Sequence, residues 1–499
     1  MWNNFKIPVD NRFNFKYPDN GFFYHNQEAL MVIGKKIVPF ISEFVDALDD
    51  AIAQQKSRKQ LSNTQKYWLA FCLMAILATK SVCWAKFERV SFGRYSTAAL
   101  SWFFYHSSIP WQILLRYSVD AVIKFYNIRQ GSLVIDDSDN KRSKNTKKIW
   151  HVHKLKDKTS GGYIMGQGIV FMILVTPVIS IPVGVEFYMP DPEYTDWKKN
   201  DEKLKKQRIS AKQRPPIPLK NPDFPTKNEI AISMVNQFNE YFPSIEIDCV
   251  IADALYGTNQ FFNGVSKIYE NAQIISQIRR TQNIFFRNRK QPVANYFLKH
   301  PGVPQIMCIR GGKKITATIG SARMHVCSFG RKIFIIALKY EGEDEYRFII
   351  ASDLSWRTID IVEAYSQRWL VEVFIQDWKT NEGWATLTKL QGEKGSRRGL
   401  ILSLLVDHCL FFHPDQKARF KNKLPALTVG CLRRQTNLES LFLFITDILD
   451  SKDPYEERDH KFSIMKENLL NFKKSEKHMV TRDINNFKPT KSLKYKKVA

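Results

Sequence analysis

Three acidic positions stand where a phosphodiester-cleaving site would need them. Leu133-Val134-Ile135 is a short apolar run that ends in Asp136-Asp137-Ser138-Asp139. Val250-Ile251-Ala252 is another, ending at Asp253. Glu372 lies within the largely apolar stretch 364–379. Phosphoryl transfer can rest on two metal ions held by carboxylates, one ion activating the attacking oxygen and the other stabilising the leaving oxygen. Magnesium takes a few carboxylate oxygens and fills its remaining positions with water and substrate phosphate. The carboxylates must therefore come from separate elements and meet at one end of a sheet. Taken singly, a strand-terminal Asp is usually a turn residue; only the three together predict a metal site. At the first position the residues leave Asp136 and Asp137 both open.

The stretch around Glu372 carries more. Tyr365, Arg368, Glu372 and Lys379 are separated by three, four and seven residues, which on one continuous helix puts all four on one face. Trp369, Leu370, Val373, Phe374 and Trp378 make the rest apolar. A core helix over 358–381 with one polar stripe is predicted, rather than a solvated helix with an ordinary Arg–Glu pair. Other candidates are weaker. His151 and His153 have no third ligand nearby and read as a solvated or DNA-facing pair. Gly311-Gly312-Lys313-Lys314 is too short for a phosphate-binding loop and reads as a hairpin turn. Arg279 and Arg280, at a strand end, are candidates for backbone phosphate contacts.

These residues need a scaffold. Residues 1–24 read as irregular and aromatic. Helical periodicity then runs from about His25 to Arg129, with helices over 25–55, 63–78, 96–106 and 110–127. At Ser132 the pattern turns to strands, with apolar runs near 133–135, 164–175 and 180–189. The uncharged stretch 168–185 contains Pro177 and Pro182 and reads as two buried strands rather than a membrane span. Residues 190–226 form a charged, proline-rich connection, long for a loop and therefore expected to be functional or mobile. A helix over 229–241, a strand ending at Asp253, a helix to about Glu270 and a strand over 274–278 complete a mixed sheet of ribonuclease-H type. Residues 281–346 interrupt this order as a β-rich insertion, and 396–412 form an apolar helix. The tail beyond about 453 is basic and expected to be loose.

Charge narrows the partners. Across 499 residues, 75 Lys and Arg face 49 Asp and Glu, a formal charge of +26. A surface this basic attracts polyanions, nucleic acid above all. At 44% apolar and 25% charged residues, the chain is neither mainly disordered nor a disulfide-stapled mini-protein. Its seven cysteines include no CxxC pair, which fits reduced thiols in a reducing compartment. The N-terminus lacks the basic-then-apolar order of a secretion signal, so a cytoplasmic location is expected.

The stripe Tyr-x2-Arg-x3-Glu-x6-Lys resembles the Y-R-E-K signature of bacterial insertion-sequence DDE transposases of the cut-and-paste kind. Val134-Ile135-Asp136-Asp137-Ser138 resembles their first-Asp strand. Ile251-Ala252-Asp253-Ala254-Leu255-Tyr256-Gly257 resembles the second-Asp segment, and 348–355 the strand leading to the Glu helix. The resemblance covers about 130–412. It implies a metal-binding triad of Asp136 or Asp137, Asp253 and Glu372, serving two Mg2+ ions that Mn2+ can replace. Tyr365, Arg368 and Lys379 would grip phosphates near the scissile bond. It further implies double-stranded DNA partners (transposon ends and target), a homodimeric active complex and a nucleoid-associated life in a bacterium. Some relatives flip a base onto a tryptophan of the insertion; 281–346 contains none, leaving Phe285 or Phe286 as substitutes or the hairpin route unused.

The expected fold is a multidomain α+β protein: a helical N-terminal DNA-binding domain (1–129), a ribonuclease-H-like core in two parts (130–280 and 347–415), the β-rich insertion (281–346) between them, and a helical, basic C-terminal region (416–499). Two rivals to the transposase reading stand beside it. One is a nuclease of the same fold that cuts without joining. The other is a transposase-derived DNA-binding protein that has lost catalysis.

Overall fold

A computed structural model describes residues 36–54, 60–142, 148–157, 161–309, 313–384 and 390–470. The expected irregular N-terminus, the turn at Gly311-Gly312 and the lysine-rich tail beyond 470 lie outside these residues.

The helical periodicity of the first quarter is real. Helices α1 (Pro39–Ala53), α2 (Asn63–Thr79), α3 (Trp84–Val90), α4 (Thr97–His106) and α5 (Trp111–Phe125) pack into one bundle. Ser62 and Gln65 form a reciprocal capping box that starts α2 and satisfies two otherwise orphaned N–H groups. Helix α2 is buried almost all round, from Trp68 to Leu77, as a central core helix must be. Among the described residues no single helix is long and apolar enough to cross a membrane. The uncharged stretch near 168–185 is a strand pair, as expected.

The sheet begins with β1 (Gln130–Lys141), β2 (His153–Lys156), β3 (Tyr163–Val175) and β4 (Ser180–Tyr188). Helices α6 (Pro192–Lys206) and α7 (Lys227–Tyr241) follow, then β5 (Glu246–Ala252), α8 (Asn259–Ser266) and β6 (Gln273–Ile278). Strand β3 is antiparallel to both β1 and β4. Strands β1, β5 and β6 run parallel. This is the mixed antiparallel and parallel core that the sequence predicts.

The segment expected as an insertion contains β7 (Asn283–Phe286), β8 (Arg289–Pro292), α9 (Val293–Lys299), β9 (Val303–Ile309), β10 (Lys313–Val326) and β11 (Arg331–Tyr340). It does not build a sheet of its own. Strand β12 (Arg347–Ala351) pairs with β6 on one side and β11 on the other, so the insertion strands extend the core sheet. Helices α10 (Thr358–Ser366), α11 (Trp369–Asn381), α12 (Gly392–Leu410), α13 (Pro414–Lys421), α14 (Val429–Leu449) and α15 (Pro454–Leu470) complete the chain. The architecture is α+β, a large mixed sheet with helical flanks. Residues 454–470 are helical rather than loose.

Three expectations need correction here. Residues 190–226 are not simply a loop, because α6 occupies 192–206. Asp191 caps it through the N–H groups of Glu193 and Tyr194, and Pro192 sits where its missing N–H costs nothing. Asp136 and Asp137 are not at a strand end, since β1 continues to Lys141 on its ladder with β3. The helix over 358–381 is broken at Gln367-Arg368. There the backbone bonds tighten to three residues, Arg368 N–H to Tyr365 C=O, Leu370 to Gln367 and Val371 to Arg368, a 3-10 turn between two α-helices.

Two cores flank the sheet. Leu133 and Ile135 face one, with α2, α5, α7 and α8. Val134 faces the other, with Val371, Phe374 and Trp378 of α11. The alternation follows from the two-residue period of a strand.

Candidate active site

That alternation decides which Asp faces α11. Asp136 follows the parity of Val134, and Asp253 that of Ile251, which lies in the same core. Asp137 follows Ile135 to the opposite face. Its carboxylate is taken by Lys227 Nζ at 2.6 Å, at the start of α7.

The ladder between β1 and β5 stops at Ile135 opposite Ala252. Beyond that register β1 keeps only β3, and the freed notch holds the acidic groups. Asp253 heads a 3-10 turn, Ala254–Tyr256, yet its side chain caps nothing in it. Ser276 Oγ donates to the Asp253 carbonyl at 2.8 Å and fixes the turn. Helix α11 closes the notch. Phe374 and Trp378 pack edge-on against Phe171 of β3, ring centroids 5.6 and 4.9 Å apart. Trp378 also donates from Nε1 to Ser403 Oγ at 2.9 Å. Two buried aromatics of this size contribute on the order of 1.5–3 kcal/mol each, enough to hold the helix in register over β1.

The carboxylates converge on Arg368. Its guanidinium lies 2.6 Å from Glu372, 3.1 Å from Asp136 and 3.9 Å from Asp253. Together with Asp137, Ser138, Ile375, Gln376, Lys379 and Thr380 these residues line an open cleft of about 510 Å³. Asp136 is the most enclosed, its side chain 12% exposed against 38% for Asp253 and 41% for Glu372. Burial pushes its pKa up to about 7; the charges of Asp253 and Asp137 add to the rise, while the Asp137 N–H and Arg368 oppose it.

Among the described residues no three His, Cys, Asp or Glu side chains form a preformed metal cage. Arg368 stands among the three carboxylates instead. The donor set itself is all oxygen and suits a hard cation such as Mg2+ or Mn2+.

The other expected site residues divide. Lys379 lines the cleft, its Nζ donating to Ser138 Oγ at 2.6 Å and to the Asp139 carbonyl at 2.9 Å. Tyr365 does not share the face. The broken helix leaves it 5% exposed in the core, hydrogen-bonded to Gln277, with Arg368 6.0 Å from its ring. Burial raises its pKa, so the phenol stays protonated. Arg279 and Arg280 follow β6 but do not line the cleft, and Arg280 is ion-paired with Glu345. His153 is buried and pairs with its own loop, at the His151 carbonyl.

Sequence reasoning missed Lys227, Gln277 and Tyr256. The Thr226-x-x-Glu229 capping box that places Lys227 was a readable signal. Gln277 gave no such signal, since Gln273 and Ser276 are polar positions of the same short strand. Tyr256 is fully buried and its hydroxyl has no hydrogen-bond partner among the described residues; its place in the segment around Asp253 was the available signal.

The family described as DDE superfamily endonuclease matches residues 55–302. The match spans just under half of the chain. It includes both first-position Asp residues and Asp253, and stops short of Glu372. No curated protein matches the sequence. Among solved structures, the chain is similar to a piggyBac transposase synaptic complex with hairpin DNA at 13% identity, over 88% of this chain and 84% of that one, with a TM-score of 0.38. It is also similar to the NurA nuclease from Sulfolobus solfataricus at 10% identity, over 54% of this chain and 77% of that one, with a TM-score of 0.21. At these scores neither likeness bears on function. The similarity to DDE superfamily endonucleases is the one that does.

Proposed function

We propose that this protein is a DNA transposase of an insertion sequence, cutting at terminal inverted repeats and joining the freed ends to target DNA. One observation carries the reading: Asp136, Asp253 and Glu372, from three separate elements, meet around one guanidinium in an open cleft. The similarity to DDE superfamily endonucleases and the charge of +26 support it.

Asp136, Asp253 and Glu372 would hold the metal ions, and Asp137 is assigned to anchoring Lys227. Bound Mg2+ would supply a nucleophilic oxygen and charge stabilisation at the leaving oxygen. The protein's own part is positioning, as in phosphoryl transfer generally. Arg368 and Lys379 face the cleft and would engage phosphates there, while buried Tyr365 supports Arg368 from below. Duplex DNA in the nucleoid is the substrate, and a homodimer is the proposed active form.

The test is a cleavage assay with Mg2+ and a labelled duplex carrying the repeat that flanks the gene. Wild type nicks at the repeat boundary. Glu372→Gln and Asp136→Asn bind the repeat without nicking, whereas Asp137→Asn still nicks. Full cleavage by Glu372→Gln would overturn the metal-ligand assignment. The endonuclease description of the matching family favours a second reading, a nuclease that cuts without joining. Absence of strand-transfer products alongside clean nicking would select it.

A further inference from the structure

The charged excursion between β4 and α7 has no part in the cleft chemistry, yet it is rooted beside it. It leaves the sheet at Tyr188, which pairs with Gly168, itself opposite Asp139 of β1. It returns at Lys227, which is bound to Asp137 at 2.6 Å and lies 5.1 Å from the Tyr188 ring. Both stems therefore meet at Asp137, the residue after Asp136 on β1.

Between the stems the segment holds itself together. Trp197 Nε1 donates to the Pro215 carbonyl at 3.0 Å. Asp201 is clamped by Lys205 and Arg214, each at 2.6 Å. Tyr194 stacks on Trp197. Asp201 is the one buried residue of α6, so the helix buries no apolar residue in the body of the protein. It packs on its own return segment and turns its other face to solvent.

That outer face is cationic. Lys199, Lys203 and Lys206 follow one another at i, i+4 and i+7, all exposed, along a line of about 10 Å. Lys198 flanks them. Lys198, Lys203, Lys206, Arg208 and Lys212 have no carboxylate partner in the described structure, and the pair of Lys199 with Asp196 is solvent-exposed and worth little. Glu202 sits within the stripe without breaking it. A self-supported helix that exposes unpaired lysines at one flank of an acidic cleft complements a polyanion lying across that cleft.

We propose that α6 and its return form an arm that grips the sugar-phosphate backbone of duplex DNA beside the cleft, with Lys199, Lys203 and Lys206 each meeting a phosphate. The assignment rests on the DNA reading above and adds a contact surface outside the carboxylate site. Each phosphate contact releases counterions and contributes about 0.9 to the slope of log K against log salt.

The experiment uses the full chain and a duplex carrying the flanking repeat, with Mg2+ omitted, and measures binding from 50 to 200 mM salt. The substitutions are exposed and leave folding intact, which circular dichroism checks. For the triple variant Lys199→Gln, Lys203→Gln, Lys206→Gln the slope drops by about 2.7, so that wild type loses about 40-fold more affinity across this range. The corresponding triple Lys→Arg variant keeps the wild-type slope. An unchanged slope in the Gln triple, with wild type binding normally, overturns the arm and leaves the transposase reading standing. Failure of wild type itself to bind duplex DNA overturns that reading, and the arm with it.

Discussion

Arg368 supplies the positive charge that lets Asp136, Asp253 and Glu372 lie together. Three carboxylates at this spacing repel one another unless a cation is among them. In the DNA-free protein the guanidinium does this, so a divalent ion must compete with it. Replacing Arg368 by Gln removes the competitor. The DNA-free Arg368→Gln protein binds Mn2+ at least about tenfold more tightly than wild type, a difference of about 1.4 kcal/mol. Without metal it is less stable, because carboxylate repulsion is no longer offset. Titration followed by the Mn2+ electron spin signal measures the first effect and denaturant unfolding the second. Equal or weaker Mn2+ binding would mean that Arg368 helps to assemble the site rather than guarding it.

At the scale of elements, the decisive fit lies behind Asp253. A Cβ on Gly257 would come within 1.8 Å of the Gln277 carbonyl oxygen, a backbone atom that cannot swing aside. Gly257→Ala must push the Asp253 turn off β6, at a cost on the order of 1–3 kcal/mol. It also moves Asp253 relative to Glu372. On the proposed function, cleavage falls further than repeat binding, and a variant with intact cleavage would show that the turn absorbs the shift. Much of this architecture was legible in the sequence. The apolar runs before Asp136 and Asp253, the helix carrying Glu372 and the strand pair at 164–189 follow from periodicity alone. Three things were not. Strand β1 runs past its apolar run because β3 holds its polar half, a pairing with no local signal. The break at Gln367-Arg368 is set by tertiary demands, with Tyr365 drawn into the core and Arg368 toward the carboxylates. Helix α6 buries almost nothing, so it lacks the apolar stripe by which helices are recognised, although its Asp-Pro start was a usable signal.

Across the whole molecule, the junction between α11, α12 and the N-terminal bundle contains a second acidic group. Glu382, fully buried at the end of α11, faces Asp407 of α12. No other described residue donates to the Glu382 carboxylate oxygens or to Oδ2 of Asp407, so the two carboxyls hydrogen-bond each other through a held proton. The adjacent Gly383 carbonyl accepts from Val82 N–H, tying this junction to the bundle. Burial raises both pKa values, that of Asp407 to about 8. Groups that hold their protons more tightly when folded stabilise most below the unfolded carboxylate pKa, about 4. That contribution is lost as pH rises through the folded values. Thermal stability therefore declines between about pH 4 and pH 8 by an amount that Asp407→Asn reduces. Parallel pH profiles for wild type and variant would refute the assignment.

The notch at Asp136 has a consequence for how such a chain can change through descent. The carboxylate's place is set by strand parity and by where one backbone ladder stops, not by the identity of its neighbours. Substitutions along β1 that keep the alternation leave the Asp136 carboxylate where it is. A single-residue insertion or deletion between Gln130 and Asp136 would instead exchange the faces of Asp136 and Asp137. Drift here is limited to apolar residues of similar volume and forbidden in length, so lineages can exchange one apolar residue for another in this strand and still present the same acid to the same helix.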